Sequence, residues 1–248
     1  MNTSIQNRII DLANRSYERN IYTNTNFLTL AELSEFNQIV NDIKHIPYTL
    51  FGGYDDSERV IIRFGSVDSN GYEEPYPIDI LEISPLIDKF SDELTHRDFL
   101  GALMNLGIER DVIGDILIDN NRAYIFVLNS ISEYIIESLT RVKHTSVMIK
   151  IIETLPVLSD HEHTFLTIQI PSERIDVIIS KVYHLSRDNS ISLFREGRVF
   201  INSSLCESNS KIVKNNDRIT VRGFGKFIYL GQSSVSKKGK LNSQIELF

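Results

Sequence analysis

The sequence lacks a basic excess. Its 26 lysines and arginines are outnumbered by 33 aspartates and glutamates, a balance that argues against a polyanionic partner held by the whole surface. Cysteine is almost missing: Cys206 stands alone, so no intrachain disulfide can form and a disulfide-stapled secreted fold is excluded. No apolar run reaches the ~18 residues that span a bilayer. Met1–Arg8 is polar and leads into no apolar stretch. A secretory leader is therefore not expected, and a cytoplasmic protein with no membrane partner is. Hydrophobic residues make up 42% of the 248 positions, enough for two or three small domains, each with its own core.

The acidic excess is unevenly spread. From residue 172 onward, 13 basic residues face 7 acidic ones, a balance of +6; the first 171 residues hold 13 and 26, a balance of −13. A basic end on an acidic body predicts that the body stays off phosphates while the end binds them. Charge alone leaves open a solvated basic surface with no partner.

Hydrophobic spacing gives the organisation. Ile5, Ile9, Leu12 and Ala13 predict a helix to about Arg19. A second helix is expected from Thr29 through Leu33, Phe36, Ile39, Val40 and Ile43, stopped by Pro47. Residues 48–54 and 58–64 read as extended runs around Asp55-Asp-Ser57, and the Gly-, Ser- and Pro-containing stretch 66–77 reads as a boundary.

The middle segment reads strand, helix, strand, strand, helix, strand. Its parts are 78–83, a helix capped by Thr95 and ended by Gly107, strands 112–118 and 123–128 around Asp119-Asn-Asn121, a helix over 132–142, and 145–153. This is the split βαβ, or ferredoxin-like, order. Many RNA-binding domains use it, as do many unrelated proteins. The aromatic signature of the RNA-recognition motif is missing, so the order alone assigns this domain no RNA.

Residues 155–163 form a polar connector, 164–170 are extended, Pro171 marks a second boundary, and 227–230 are the last expected strand. The Ser- and Lys-rich stretch that follows reads as loose. The expected fold class is α+β in four parts: an N-terminal α/β segment (1–75), a ferredoxin-like βαββαβ domain (76–163), a C-terminal domain (164–231) and a loose tail (232–248).

The chemistry concentrates near the C-terminus. Arg174 opens a helix, and Lys181 lies two turns on, on roughly the same face. Ser186 is placed to cap a second helix over 188–196. Free N–H groups, the positive dipole end and Arg187 would then converge, which suits a phosphate. Arg195 falls in the last turn, and Gly197-Arg198 leads into a strand at 199–201. Arg222-Gly-Phe-Gly-Lys226 is no phosphate loop, because Phe227 occupies the hydroxyl position. It reads either as a plain strand turn or as a turn bringing Arg222, Lys226 and backbone to an RNA sugar-phosphate. Arg174 could instead pair with Glu173 or Asp176, although the i, i+2 spacing is expected to point Asp176 another way. Several cations gathered in one place repel unless an anion arrives.

In this order, Ser172-Glu-Arg-Ile-Asp176, Leu185-Ser-Arg187, the stretch from Phe194 to Asn202 and the stretch from Asn216 to Lys226 resemble the S4-type (αL motif) RNA-binding domain. There, two short helices lead into a small strand layer with basic side chains on one face. The resemblance implies structured RNA as the ligand and a structural role for Asp176, holding local backbone or another cation. Asn202-Ser203 stands where the pattern has Asn-Gly, and Asn216 where Gly precedes Asp217. Asparagine tolerates positive φ, so both turns are expected to survive. The motif's small residue in the second helix corresponds to Ser190 or Ser192.

Enzyme candidates are poor. His161 and His163 lie two apart on the connector with no further metal ligands in view. His96 opens a helix, Asp55, Asp56 and Glu58 form an acidic turn, and Cys206 has no neighbouring cation to lower its pKa. No nucleophile, base and orienter assemble. Phe51-Gly-Gly-Tyr54 has two readings: aromatics that stack on a base beside a close-approaching backbone, or a tight turn with core aromatics.

Three stretches resemble the YlmH family: Leu50-Phe-Gly-Gly-Tyr-Asp55 with Glu58-Arg59; Leu94 to Leu103 running into Leu106–Arg110 and Ile113–Leu117; and Arg222-Gly-Phe-Gly225. The resemblance covers nearly the whole chain. It implies an N-terminal domain and a central α/β domain ahead of an S4 domain, in a bacterial RNA-binding protein without catalysis, cofactor or small-molecule substrate. It further implies rRNA and tRNA as partners on the large ribosomal subunit carrying an obstructed peptidyl-tRNA, in ribosome-associated quality control, and a link to cell division in some bacteria. One rival is an RNA-modifying enzyme with an appended S4 domain. A pseudouridine synthase needs a catalytic Asp, and the only Arg-x-Asp candidate is Arg174-Ile-Asp176. A methyltransferase needs a glycine-rich cofactor loop, which residues 1–171 lack. The other rival is an acidic protein–protein adaptor.

Overall fold

The computed structural model describes residues 3–87, 89, 91–158, 164–236 and 239–247. His161, His163, Lys237 and Lys238 lie outside these residues. The fold is α+β, and the chain divides into two compact units, residues 1–32 with 38–159, and 160–248 with 33–37.

The first unit opens with α1 (Ser4–Arg19), begun by a capping box in which Thr3 and Gln6 satisfy each other's backbone N–H groups. Ile9 and Ala13 form its buried stripe. A short strand β1 (Thr23–Asn24) follows, then α2 (Leu30–Ile39), started by a second capping box between Thr29 and Glu32; residues 33–37 of this helix group with the second unit. The expected continuation of α2 to Ile43 does not occur. Turns replace it, with the N–H of Asp42 donating to the Ile39 carbonyl and that of Ile46 to the Ile43 carbonyl. Ile43 and Ile46 are still buried, so the apolar pattern outlasts the helix. Strands β2 (Tyr48–Phe51) and β3 (Ile61–Phe64) complete a three-stranded sheet in the order β1-β3-β2. A single helical turn, α3 (Val67–Asn70), interrupts the boundary stretch.

The middle elements are β4 (Ile78–Pro85), α4 (His96–Asn105), β5 (Ile113–Asp119), β6 (Arg122–Leu128), α5 (Ser132–Ser138), β7 (Arg141–Val142) and β8 (Thr145–Ile152). They form an antiparallel sheet in the order β5-β6-β4-β8-β7. The helix expected over 132–142 ends at Ser138, and Arg141–Val142 becomes an edge strand. Ile135, Leu139 and Val142 are all buried. Their spacing of four and three imitates a helix that the chain has already left.

One sheet face packs Leu81, Ile83, Ile125 and Val127 against Phe99, Leu103 and Ile135 of the helices. The other face packs Phe126 against Phe27 and Ile61 of the N-terminal segment. No helix among the described residues is long and apolar enough to cross a membrane.

The second unit contains β9 (Thr164–Ile170), α6 (Ile175–Val182), α7 (Arg187–Arg195), β10 (Val199–Ile201), β11 (Ser204–Leu205), β12 (Asp217–Val221), β13 (Gly225–Val235) and β14 (Leu241–Leu247). The strands form one antiparallel sheet in the order β11-β10-β12-β13-β14-β9. Ile175, Ile178, Ile179 and Leu193 of the helices meet Val199, Val221, Phe227, Tyr229 and Ile245 of the sheet. The loose tail expected over 232–248 is corrected: β13 extends to Val235, and β14 pairs with β13 on one side and β9 on the other. Ser243 and Ile245 are fully buried while Gln244 between them is exposed, an alternation that places β14 inside the sheet.

Candidate nucleic-acid interface

Arg174 is the N-cap of α6, with extended backbone. That geometry, rather than helical spacing, turns its side chain onto Asp176. Nε and Nη2 donate to the two carboxylate oxygens at 3.0 and 2.8 Å. The expectation that the i, i+2 spacing separates them therefore fails, because Arg174 lies outside the helix. Asp176 is only 1% exposed and also accepts from the Val177 N–H at 3.0 Å. This hydrogen bonding raises the pKa of Arg174 above its ordinary value. The pair forms a fixed bidentate clamp at the start of α6. Ser190 of α7 is fully buried and its hydroxyl donates to the Asp176 carbonyl at 2.7 Å, so a small residue here lets α7 lie close on α6.

Lys181 is exposed in the last turn of α6. A corner follows, with His184 at φ 52° and the Ser180 hydroxyl donating to the Leu185 carbonyl at 2.7 Å. Ser186 then caps α7, its Oγ accepting from the Asn189 N–H at 3.2 Å. Arg187 is exposed in the first turn, and Arg195 is exposed in the last.

At the far end of α7 the Arg198 N–H donates to the Leu193 carbonyl. The Arg198 side chain binds the Arg222 carbonyl through Nε at 2.9 Å and Glu196 through Nη1 at 3.1 Å. Gly223 has φ 84°, and a Cβ there would collide with the Arg198 guanidinium. The positive φ is what favours glycine here, since the end of a flexible arginine can move aside. Phe224, 42% exposed, lies under the Arg198 guanidinium at 5.5 Å and against the Tyr183 ring at 5.5 Å. Arg222 is exposed and sits over the Phe200 ring at 4.9 Å. Lys226 is the second residue of β13, opposite Thr220.

A chain of contacts therefore links the α6–α7 corner to the 222–225 loop and on to the end of α7. Lys181, Arg187, Arg195 and Arg222 have no carboxylate partner among the described residues, whereas Arg174 and Arg198 are ion-paired. Arg174 lies at the start of α6, a helix of eight residues about 12 Å long at 1.5 Å per residue, with Lys181 near its other end. Both departures from the turn pattern keep their backbone: Asn202 and Ser203 have φ 49° and 63°, and Asn216 has φ 66°.

Tyr183 and Phe224 are contributions that sequence reasoning gave no role. The available signal was a large apolar residue held between two glycines at a cationic turn. Burial leaves the Tyr183 hydroxyl without a hydrogen-bond partner among the described residues and pushes its pKa well above the usual phenol range.

The candidate sites of the first unit resolve differently. Tyr54 stacks on Phe126 at 5.0 Å and donates its hydroxyl to Asp115 at 2.9 Å. Asp115 also accepts the N–H groups of Glu58 and Arg59, at 2.6 and 3.1 Å. Arg59, 9% exposed, donates to the carbonyls of Ile113 and Phe27, each at 3.0 Å, and desolvation lowers its pKa. A Cβ on Gly53, at φ 107°, would enter the Phe126 ring. Phe51-Gly-Gly-Tyr54 is thus a core turn, not a stacking platform. His96 is exposed at the start of α4. Cys206 is buried, and burial pushes its thiol pKa up. No His, Cys, Asp and Glu group among the described residues could hold a metal ion.

These features define an α+β protein with a basic, partly aromatic surface on its C-terminal unit, and no assembled nucleophile and base among the described residues. Two models of one family match the chain: "YlmH, N-terminal" over residues 2–69 and "Putative RNA-binding domain in YlmH" over residues 72–155. Together they span well over half of it, and the chain belongs to the YlmH family. It is 27% identical over 194 residues to the ribosome-associated protein quality control protein P2 of Bacillus subtilis (strain 168), covering 76% of this chain and 73% of that protein. Among solved structures it is similar to the cell division protein ylmH from Streptococcus pneumoniae, with 22% identity, a TM-score of 0.47, and coverage of 60% of this chain and 88% of that one. The second family model puts its RNA-binding description on the middle elements, where sequence order alone had assigned no ligand.

Proposed function

We propose that this chain is a non-catalytic RNA-binding protein of the cytoplasm that grips structured rRNA or tRNA through its C-terminal unit. In this reading residues 164–231 form an S4-type domain, 76–163 a ferredoxin-like domain and 1–75 an N-terminal domain. The working site is the large ribosomal subunit with obstructed peptidyl-tRNA, in ribosome-associated quality control. The observation that carries the reading is a set of cations with no carboxylate partner among the described residues: Lys181 and Arg187 at the α6–α7 corner, Arg195 at the far end of α7, and Arg222, on elements joined through the Tyr183–Phe224 and Arg198–Arg222 contacts. Such cations on joined elements of one unit repel one another, and a phosphate backbone that runs past them relieves that repulsion. Arg174 and Arg198, each held in place by an ion pair, and Lys226 belong to the same proposed contact set. The ribosomal assignment is supported by the printed name of the Bacillus subtilis relative. The ferredoxin-like assignment is supported by the β5-β6-β4-β8 strand order with two helices on one face.

The test is a titration of the full chain with labelled tRNA and with isolated large subunits over a range of salt. If about five phosphates are neutralised, log K falls against log salt with a slope of about −3.5 to −4.5; a slope near zero removes the electrostatic basis. The double variant R187A/R222A is expected to bind tRNA about tenfold more weakly with an unchanged unfolding midpoint. Unchanged tRNA affinity would move the site elsewhere.

A further inference from the structure

We propose that the first unit carries a second RNA contact, a groove between α4 and the α5–β7 connection that holds a single strand. The inference rests on the RNA-binding reading above and adds a site to it. The groove has a volume of about 480 Å³ and is lined by Arg97, Gly101, Asn105, Ser138, Arg141 and Lys143, among others. That volume lies in the range of small-ligand sites, roughly 300–1,000 Å³.

Three cations and one carboxylate stand on this groove, on a part of the chain that is acidic overall. Lys143 is held by Asp98 at 2.8 Å. Arg97 and Arg141 are exposed and have no carboxylate partner among the described residues. The local balance is therefore positive, and it faces a cleft with walls that focus the field. Asn105, Ser138 and Thr140 supply neutral donors and acceptors, and Ala102 and Leu106 supply apolar surface. Phosphates at the rim, 2′-hydroxyls against the amide and hydroxyls, and a sugar or base on the apolar patch match this lining.

One local cost falls on this groove and returns nothing to the fold. Gly101 sits in the interior of α4, where glycine disfavours the helix. Yet a Cβ there would meet no atom within 4 Å, so packing does not require it. Its effect is a bare groove floor, and a rule broken without a structural return points to a functional position. Lys143 takes φ 52° because the two-residue turn between β7 and β8 needs it, and Asp98 holds its ammonium on the groove.

The test uses the full chain with a short fluorescein-labelled oligouridylate, and with labelled tRNA as the reference ligand. The variants are R97A/R141A, Gly101→Leu to fill the groove, and R187A/R222A. R97A/R141A is expected to bind the oligouridylate about tenfold more weakly, with a salt slope shallower by about 1.4, the share of two phosphates on a single strand. Gly101→Leu is expected to weaken oligouridylate binding while the thermal midpoint stays equal or rises. Wild-type affinity in both groove variants, or failure of the wild type to bind oligouridylate, overturns the groove whatever tRNA does. Undiminished tRNA binding by R187A/R222A overturns the C-terminal reading whatever the oligouridylate does.

Discussion

Two stretches of this chain combine glycine with aromatic residues, and they do opposite things. In Phe51-Gly-Gly-Tyr54 the glycines admit core atoms: Gly53 makes room for the Phe126 ring and Tyr54 stacks on it. In Arg222-Gly-Phe-Gly225, Gly223 faces the Arg198 guanidinium and Gly225 the Tyr183 hydroxyl, and Phe224 stays exposed beside Arg198 and Tyr183. Glycine signals close approach in both places. The charge of the neighbours tells which partner approaches. Around the first turn the cation Arg59 is buried and saturated by carbonyls. Around the second, Arg222 has no carboxylate partner among the described residues.

The comparison breaks most visibly at Gly53. Gly53→Ala combines a clash inside a packed ring with a φ that alanine resists, and is expected to destabilise the first unit by about 3 kcal/mol or more. Denaturant unfolding reads this, and an unchanged midpoint would mean that the turn is not a core element. Phe224→Ala tests the other half. Stability should change by less than about 1 kcal/mol, because Phe224 is 42% exposed and lies outside the buried cluster of its unit. RNA affinity should fall by about 1–3 kcal/mol, the worth of a base stacked on an aromatic ring. The reverse outcome, a stability loss with full affinity, would make the 222–225 loop a second structural turn. Gly223→Ala is milder than Gly53→Ala. Its Cβ meets the end of a flexible arginine rather than a packed ring, so a loss of about 1–2 kcal/mol from positive φ is expected. Differential scanning calorimetry on the two alanine variants side by side ranks them.

Much of this was legible in the sequence. Thr29, Thr95 and Ser186 mark helix starts because their capping geometry is local. The hairpin around Asn120-Asn121 follows from residues that accept positive φ. What was not legible depends on partners distant along the chain. β14 is a strand because β9, more than 70 residues earlier, lies beside it; by itself 232–242 is a polar run. Arg141–Val142 continues a helical spacing, and only its pairing with β8 makes it a strand. The Arg174–Asp176 clamp depends on the N-cap backbone, which spacing rules for helix interiors do not describe. The cations of the C-terminal unit could be counted, but which of them keep a carboxylate, and that Phe224 meets Tyr183, needed the fold.

The smallest expected effect is a pH dependence found in both units. Each holds a tyrosine hydroxyl on a carboxylate: Tyr54 on Asp115 in the first, Tyr229 on Glu173 at 2.7 Å in the second. Burial is the main cause raising both above the usual phenol value, Tyr229 to about 12 and Tyr54 further. A raised phenol pKa means that the folded state favours the neutral form. The stabilisation is therefore complete below about pH 10, the value of a free phenol. For Tyr229 it is lost as pH rises from there through about 12, while Tyr54 holds its proton longer. Both units should therefore begin to weaken together above about pH 10, as tyrosines ionise in the unfolded chain while the buried ones keep their protons. The share carried by Tyr229 levels off near pH 12, and Tyr229→Phe is expected to remove that share and leave the rest of the alkaline loss in place. Hydrogen exchange followed region by region would read this; the same alkaline loss of protection around β13 in the wild type and in Tyr229→Phe would mean that this hydroxyl carries none of the pH dependence.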